Sequence, residues 1–206
     1  MIVISGSHGL IGSALVKALA ERGHEVRRLV RSAPRSADEI AWNPDAGTID
    51  SAALRGASVV VNLAGENIAQ RWTRSAKRRI HGSRVQGTTL VARTIAALPD
   101  KPSLLVNASA VGIYGDRGDE ALDERSAPGA GFLATVCRDW EAATAPASDA
   151  GIRVAMLRTG VVLARGDGAL PKLLLPFRLG LGGRIGSGRQ WVSWIALGDV
   201  VRAVLH

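Results

Sequence analysis

An α/β fold with a doubly wound parallel sheet and helices on both faces is what the sequence predicts, and three observations predict it. Short β-branched runs alternate with longer Ala-, Leu- and Arg-rich segments of helical spacing, the rhythm of repeated strand-helix-strand units. The run Ser58 to Leu63, with Val59, Val60 and Val61 at its centre, does not alternate apolar with polar residues, as expected where both sheet faces are covered. Finally, Gly6, Gly9 and Gly12 cluster where a first strand would pass into a first helix. A chain of 206 residues suits one such domain over 1–206.

Taken in order, Met1 to Ser5 is the first expected strand. Leu10 to Arg22 is the first helix, with Ile11, Leu15, Ala18 and Leu19 on one face and Gly23 ending it. His24 to Val30 follows as a strand, then Ile40 to Trp42 before the turn Asn43 to Gly47, a short helical piece at Ala52 to Leu54, and the strand Ser58 to Leu63. Ile80, Val85, Leu90, Val91 and Ile95 predict a long helix over 73–97, with Gly82 and Gly87 as break points and Pro99 and Pro102 beyond its end. Ser103 to Ala108 is the fifth strand, and the acidic, Gly-rich stretch 115–131 is a loop. Leu133, Val136, Cys137 and Trp140 give a helix over 132–148, limited by Pro146. Arg153 to Thr159 is a sixth strand, 180–188 is Gly-rich, Trp191 to Ile195 is a further strand, and Asp199 to His206 begins a helix.

Composition narrows the function classes. Hydrophobic residues make up 47% and charged ones 21%, so a disordered or collagen-like chain is excluded. A lone Cys137 excludes an internal disulfide and a zinc site built on thiolates, and together with the lack of a leader or apolar span it points to a reducing cytoplasm. The four histidines have no metal-ligand spacing, and no metal is expected. A net charge of +8, carried almost entirely by arginine, suits an anionic partner or only an arginine-rich composition. Arg71, Arg74, Lys77, Arg78, Arg79 and Arg84 concentrate this charge, but Trp72 is the only aromatic nearby, so a nucleic-acid binder using 71–84 is the weaker alternative.

The sharpest motif is Ser5-Gly6-Ser7-His8-Gly9-Leu10-Ile11-Gly12. Gly6 permits a tight turn, Gly9 lets main chain approach a diphosphate, and Gly12 lets helix and strand pack closely; freed N–H groups and the helix dipole then favour phosphate. This is a Rossmann-like dinucleotide site, with Gly6, Ser7, His8, Gly9, Leu10, Ile11 and Gly12 as its cofactor-binding residues. NAD-type sites place an acid about 20 residues further on. This chain has Arg31, then Ser32 and Arg35, which suits a 2′-phosphate, so NADP(H) is expected over NAD(H).

The glycine spacing, Val61-Asn62-Leu63-Ala64-Gly65 and Ser109-Ala110-Val111-Gly112-Ile113-Tyr114-Gly115 resemble signatures of the extended short-chain dehydrogenase/reductases. The chain is more closely similar to an atypical group labelled as NAD-dependent sugar-nucleotide epimerases, or in older usage as SulA-like cell-division inhibitors. That likeness rests on Trp42-Asn43-Pro44, Gly65-Glu66-Asn67-Ile68, Arg71-Trp72, Ser83-Arg84-Val85, Val136-Cys137 with Trp140-Glu141, Leu157 to Leu163, and Trp191 to Ile195. The resemblance implies an epimerase or oxidoreductase acting on a nucleotide sugar or small carbonyl compound. It places Leu63, Ala64, Gly65 and Ala108 beside the nicotinamide half, and a smaller substrate-covering part beyond the segment that ends at His206.

The resemblance also implies a tyrosine and a lysine four residues apart, and no such pair exists. With Glu141 aligned to the glutamate that follows the lysine, those positions fall on Leu133 and Cys137. The only tyrosine, Tyr114, is followed four residues later by Gly118. Ser109 and Tyr114 are therefore the catalytic candidates, with Asn107 or a substrate hydroxyl as substitutes. Asn67, Arg71, Trp72 and Arg189 are candidate substrate contacts. A regulatory or scaffolding protein that binds NADP(H) without turnover is the other alternative.

Overall fold

The computed structural model describes residues 1–184 and 186–206. Seven strands form the main sheet: β1 (Ile2–Ser5), β2 (Val26–Val30), β3 (Glu39–Asn43), β4 (Thr48–Ile49), β5 (Val59–Asn62), β6 (Leu104–Ala110) and β7 (Arg153–Thr159), in the order β4-β3-β2-β1-β5-β6-β7. All neighbours are parallel except β3 and β4. The chain steps outward from β1 to β2 and β3, then returns to place β5 on the other side of β1. That reversal leaves a crevice at the carboxyl ends of β1 and β5, where doubly wound sheets take their ligands.

Alternation along the central strands divides the core into two layers. Val3, Val60 and Leu105 join one cluster with Leu29, Trp42, Val91 and Ile95; their neighbours Ile4, Val61 and Val106 join another with Leu15, Leu19 and Val201. The first layer lies under α2 (Arg74–Ala96), the second under α1 (Leu10–Glu21) and α6 (Leu197–Leu205). The expected doubly wound sheet with helices on both faces is therefore present.

Several boundaries differ from expectation for identifiable reasons. The long helix α2 runs unbroken from Arg74 to Ala96, capped by Thr73, whose Oγ1 accepts from Ala76 N. Gly87 does not break it; it lies buried within the helix, where a Cβ would stand in ordinary contact 3.5 Å from the Trp42 ring of β3. The expected helix over 132–148 is two, α3 (Phe132–Ala142) and α4 (Ala145–Asp149), with Pro146 in the first turn of the second, where its missing N–H costs nothing. Only Trp194–Ala196 of the segment 191–195 and beyond is a strand (β9), paired in parallel with β8 (Val161–Leu163) as a small second sheet. Neither β8 nor α5 (Ala169–Arg178) was foreseen. No helix among the described residues is long and apolar enough to cross a membrane.

A buried polar network sits beneath the crevice. Ser5 Oγ donates to Asn62 Oδ1 at 2.5 Å, while Asn62 Nδ2 donates to Asn107 Oδ1 at 2.7 Å and Thr88 Oγ1 at 2.8 Å. Trp140 Nε1 donates to the same Thr88 hydroxyl at 2.8 Å. β1, β5, β6, α2 and α3 are thereby tied together just below the ligand-facing strand ends. Leaving buried polar groups unpaired costs about 1–3 kcal/mol each, so Asn62→Ala is expected to lower unfolding free energy by about 3 kcal/mol in urea denaturation. A loss under about 0.5 kcal/mol, the usual range for surface changes, would show that the network carries no stability.

Candidate functional site

The turn between β1 and α1 is shaped by contacts that admit no side chain. Gly6 has φ of 68°, and a Cβ there would lie 2.8 Å from the Leu63 carbonyl group. At Gly12 a Cβ would lie 2.2 Å from the Gly6 oxygen, so the first turn of α1 rests directly on the loop that precedes it. Gly9 occupies the N-cap of α1 with no capping side chain. Its N–H donates back to Gly6 O at 3.0 Å, closing the turn. The first N–H groups of a helix lack intrahelical partners, and here no side chain takes their place. Ser7 Oγ, buried in the same loop, is a polar side-chain atom without a hydrogen-bond partner among the described residues. Open amides, a buried orphan hydroxyl and a helix dipole together suit an anion with several acceptor oxygens.

A cleft of about 500 Å³ opens over this turn. Of the residues expected to hold a cofactor, Gly6, Ser7, His8, Gly9, Arg31, Ser32, Leu63, Ala64 and Gly65 line it. Leu10, Ile11, Gly12, Arg35 and Ala108 do not. Gly12 lies buried under the turn, and the exposed Arg35 sits outside the cleft, its main-chain N–H donating to Glu39 Oε2. Ala108 is held within the sheet opposite Leu157. Arg31 is exposed and its side chain makes no ion pair or hydrogen bond among the described residues, whereas Arg28, three residues earlier, is paired with Asp38 and Glu39. Leu29, Val30, Trp42, Pro44, Asp45, Glu66 and Ser83 complete the wall and are not assigned from sequence, although the blocks named above, Trp42 to Pro44, Gly65 to Ile68 and Ser83 to Val85, contain four of them.

The α2 side of the cleft is held by Arg84. Its Nη1 donates to Glu66 O at 3.0 Å and Ile80 O at 3.1 Å, and its guanidinium carbon lies 4.9 Å from the Trp140 ring centre. Burial pushes the Arg84 pKa below the usual guanidinium value, with Cys137 and Glu66 acting the other way. The basic cluster is thus divided: Arg84 turns inward, Arg79 turns to Gln70 and Glu66, and Arg71, Arg74, Lys77 and Arg78 remain exposed. Trp72 meets Phe132 edge-on at 5.4 Å, and Asn67 and Arg189 are exposed.

The catalytic candidates belong to a separate cluster at the ends of β6 and β7. Ser109 Oγ donates to Glu141 Oε1 at 2.6 Å, and Arg158 grips the same carboxylate through Nε and Nη2, both at 2.8 Å. Arg158 Nη1 donates to the Tyr114 hydroxyl at 3.1 Å, bringing Ser109 and Tyr114 around one ion pair. Burial alone would raise the Glu141 pKa, but the Arg158 fork and the Ser109 hydroxyl outweigh it and hold the carboxyl below the usual range. Hydrogen bonding to Glu141 raises Arg158 in turn. Leu133, Val136, Cys137 and Trp140 form a packed helix face; burial pushes the Cys137 thiol up, leaving little thiolate. No group of three metal-ligating side chains occurs among the described residues.

Comparison with known proteins places this geometry in context. The model of the NAD dependent epimerase/dehydratase family matches residues 2–206. An epimerase family protein of Mycobacterium tuberculosis is 47% identical over 99% of this chain and 67% of its own length. A Corynebacterium glutamicum structure described as a nucleoside-diphosphate sugar epimerase superposes with a TM-score of 0.86 at 46% identity, over 99% of this chain and 42% of that one. The human epimerase family protein SDR39U1, crystallised with NADPH, gives 0.88 at 37% identity, over 100% of this chain and 68% of its own. This chain therefore spans less than half of the Corynebacterium chain and about two thirds of the other two.

Glu141→Gln removes a charge from a pair whose side chains are only 15% and 22% exposed, so it is expected to cost about 2–3 kcal/mol at neutral pH, below the 3–5 of a fully buried pair. Because the folded-state pKa of Glu141 is depressed, the stabilisation is complete above the ordinary glutamate pKa, about 4.3, and is lost as pH falls through the lower folded value. The gap between wild type and Glu141→Gln in denaturant titrations should shrink steadily below that pH. A gap that stays constant down to strong acid would contradict the ionised pair.

Proposed function

The chain belongs to the NAD dependent epimerase/dehydratase family, and from that membership we propose that it binds NADP(H) in the cleft over β1 and acts as an oxidoreductase- or epimerase-like protein on a nucleotide sugar or small carbonyl compound. The carrying observation is the pairing, in one cleft, of a side-chain-free turn with the unpartnered Arg31. In this reading the uncapped amides of the first turn of α1, just behind the Gly6 to Gly9 lining, and the Ser7 hydroxyl hold the diphosphate, which answers the orphaned Oγ. Arg31 and Ser32 meet the 2′-phosphate; Arg35 is near enough in sequence to add to the field. Asp45 stands on the same wall and works against that phosphate. Leu63, Ala64 and Gly65, with Ala108 behind them, flank the nicotinamide half. The NADPH in the human relative's structure supports this choice of coenzyme.

When bound, such a cofactor supplies a hydride donor or acceptor at its nicotinamide. The chain's own residues must then manage the proton without a tyrosine-lysine pair. Tyr114 is the better carrier of the two candidates, because its oxygen accepts from Arg158 and its own proton is left to donate. Ser109 spends its proton on Glu141 and positions that carboxylate. The same commitment of Ser109, and the apolar face at Leu133 and Cys137, favour the second reading, a protein that binds NADP(H) without turning it over.

Calorimetric titration tests the coenzyme assignment. Loss of charge-assisted hydrogen bonds worth about 1.5–3 kcal/mol should make Arg31→Ala bind NADPH at least about tenfold more weakly, with NADH affinity little changed. Equal wild-type affinities for NADPH and NADH would reject the assignment. NADPH oxidation against a panel of carbonyl compounds and nucleotide sugars separates the two readings. Turnover that Tyr114→Phe abolishes supports the enzyme, and tight binding without turnover supports the binding protein.

A further inference from the structure

We infer that the Arg84 guanidinium sets which redox form of the cofactor the cleft prefers, favouring the reduced, uncharged nicotinamide over the oxidised, cationic ring. This rests on the cofactor reading above and goes beyond it, from coenzyme identity to coenzyme redox state. The direction in which a dinucleotide would lie follows from the topology. The glycine turn marks the diphosphate, and Arg31 at the end of β2 marks the adenosine side. The other half must then cross to the opposite side of β1, over Leu63, Ala64 and Gly65 at the end of β5.

Arg84 stands at that end. A Cβ on Gly65 would lie 3.0 Å from its guanidinium carbon and 3.2 Å from Nη1 and Nη2, so the charge abuts a residue that lines the cleft, with no side chain between them. The neighbouring Ser83 also lines the cleft, which fixes this stretch of α2 as its wall.

Arg84 also lacks an acidic counterpart. The hydrogen bonds of its Nη1 go to the main-chain carbonyls of Glu66 and Ile80, and among the described residues it forms no ion pair. Glu66, an acid on the same wall, acts on Arg84 only through space, its carboxylate turned to Gln70 and to Arg79 at 3.7 Å. The preceding turn of α2 adds Lys77, Arg78 and Arg79, so nothing on that helix offsets the charge. A partly desolvated cation with no ion-pair partner repels a like charge more strongly than it would in water. The two redox forms share every phosphate and differ by one positive charge on the ring. The ratio of their affinities therefore isolates that repulsion.

The test is the ratio Kd(NADP+)/Kd(NADPH), measured by calorimetry on wild type, Arg84→Met, Arg84→Gln and Arg84→Lys, with thermal unfolding as the check on folding. Wild type should favour NADPH. Arg84→Met and Arg84→Gln should move the ratio towards NADP+ by about three- to tenfold, and Arg84→Lys, which keeps the charge, should hold it near the wild-type value. Either neutral variant that folds suffices. If Arg84 only pins the Glu66 carbonyl, both affinities fall in proportion and the ratio stays constant, which overturns the inference while leaving the cofactor reading intact. Wild-type protein that binds neither form overturns the cofactor reading and this inference with it.

Discussion

The contact on which the rest of the structure depends is between main chain and main chain: the Gly6 carbonyl against Gly12, and Gly6 against Leu63. At these distances no Cβ fits, so α1 can begin directly above the end of β1, and the chain leaving β5 at Leu63 can pass close alongside. That approach leaves the first N–H groups of α1 uncovered and creates the crevice between β1 and β5. Substituting bulk at Gly12 would not simply fill a gap, since the clashing partner is backbone and cannot swing away.

Beneath it lies a second requirement, that the strand ends stay in register while carrying polar side chains. Ser5, Asn62 and Asn107 on the adjacent strands β1, β5 and β6 and Thr88 on α2 satisfy one another, and Trp140 closes the set from α3. Ser5 Oγ also accepts from Ala64 N at 3.3 Å, so the network reaches directly into the cleft wall. A mutually satisfied buried network gives rigidity rather than much net stability, because each hydrogen bond replaces one to water. Rigidity keeps the amides and the cation of the cleft wall in fixed relation to one another.

Charge is distributed unevenly around the site. At the β7 end Arg158 meets a carboxylate through a two-point fork, and the positive charge is spent within the protein. Around the cleft, Arg31 and Arg84 have no such partner. A cation left without an acid is tolerable where a ligand or solvent supplies the compensation. The contrast between Arg158 and these two is what separates a structural ion pair from groups available to a ligand.

What was legible in the sequence was local. The β1-α1 turn is encoded in eight consecutive residues, because a left-handed Gly6 and a side-chain-free Gly12 are properties of single positions. The alternation of strands with helices, Arg31 at the end of β2, and the absence of a tyrosine-lysine pair could likewise be read without coordinates, as could the apolar face of α3. What only the tertiary structure decided was long-range: Trp42, Pro44 and Ser83 as cleft wall, Arg84 turned inward while Arg71, Arg74, Lys77 and Arg78 face solvent, and Ser109, Tyr114, Glu141 and Arg158 gathered at one ion pair. Tyr114 and Arg158 are 44 residues apart, and Asn62 and Asn107 are 45 apart. Such pairs form because β5, β6 and β7 become neighbours, and strand adjacency is settled by how whole layers pack, which no short stretch of residues encodes.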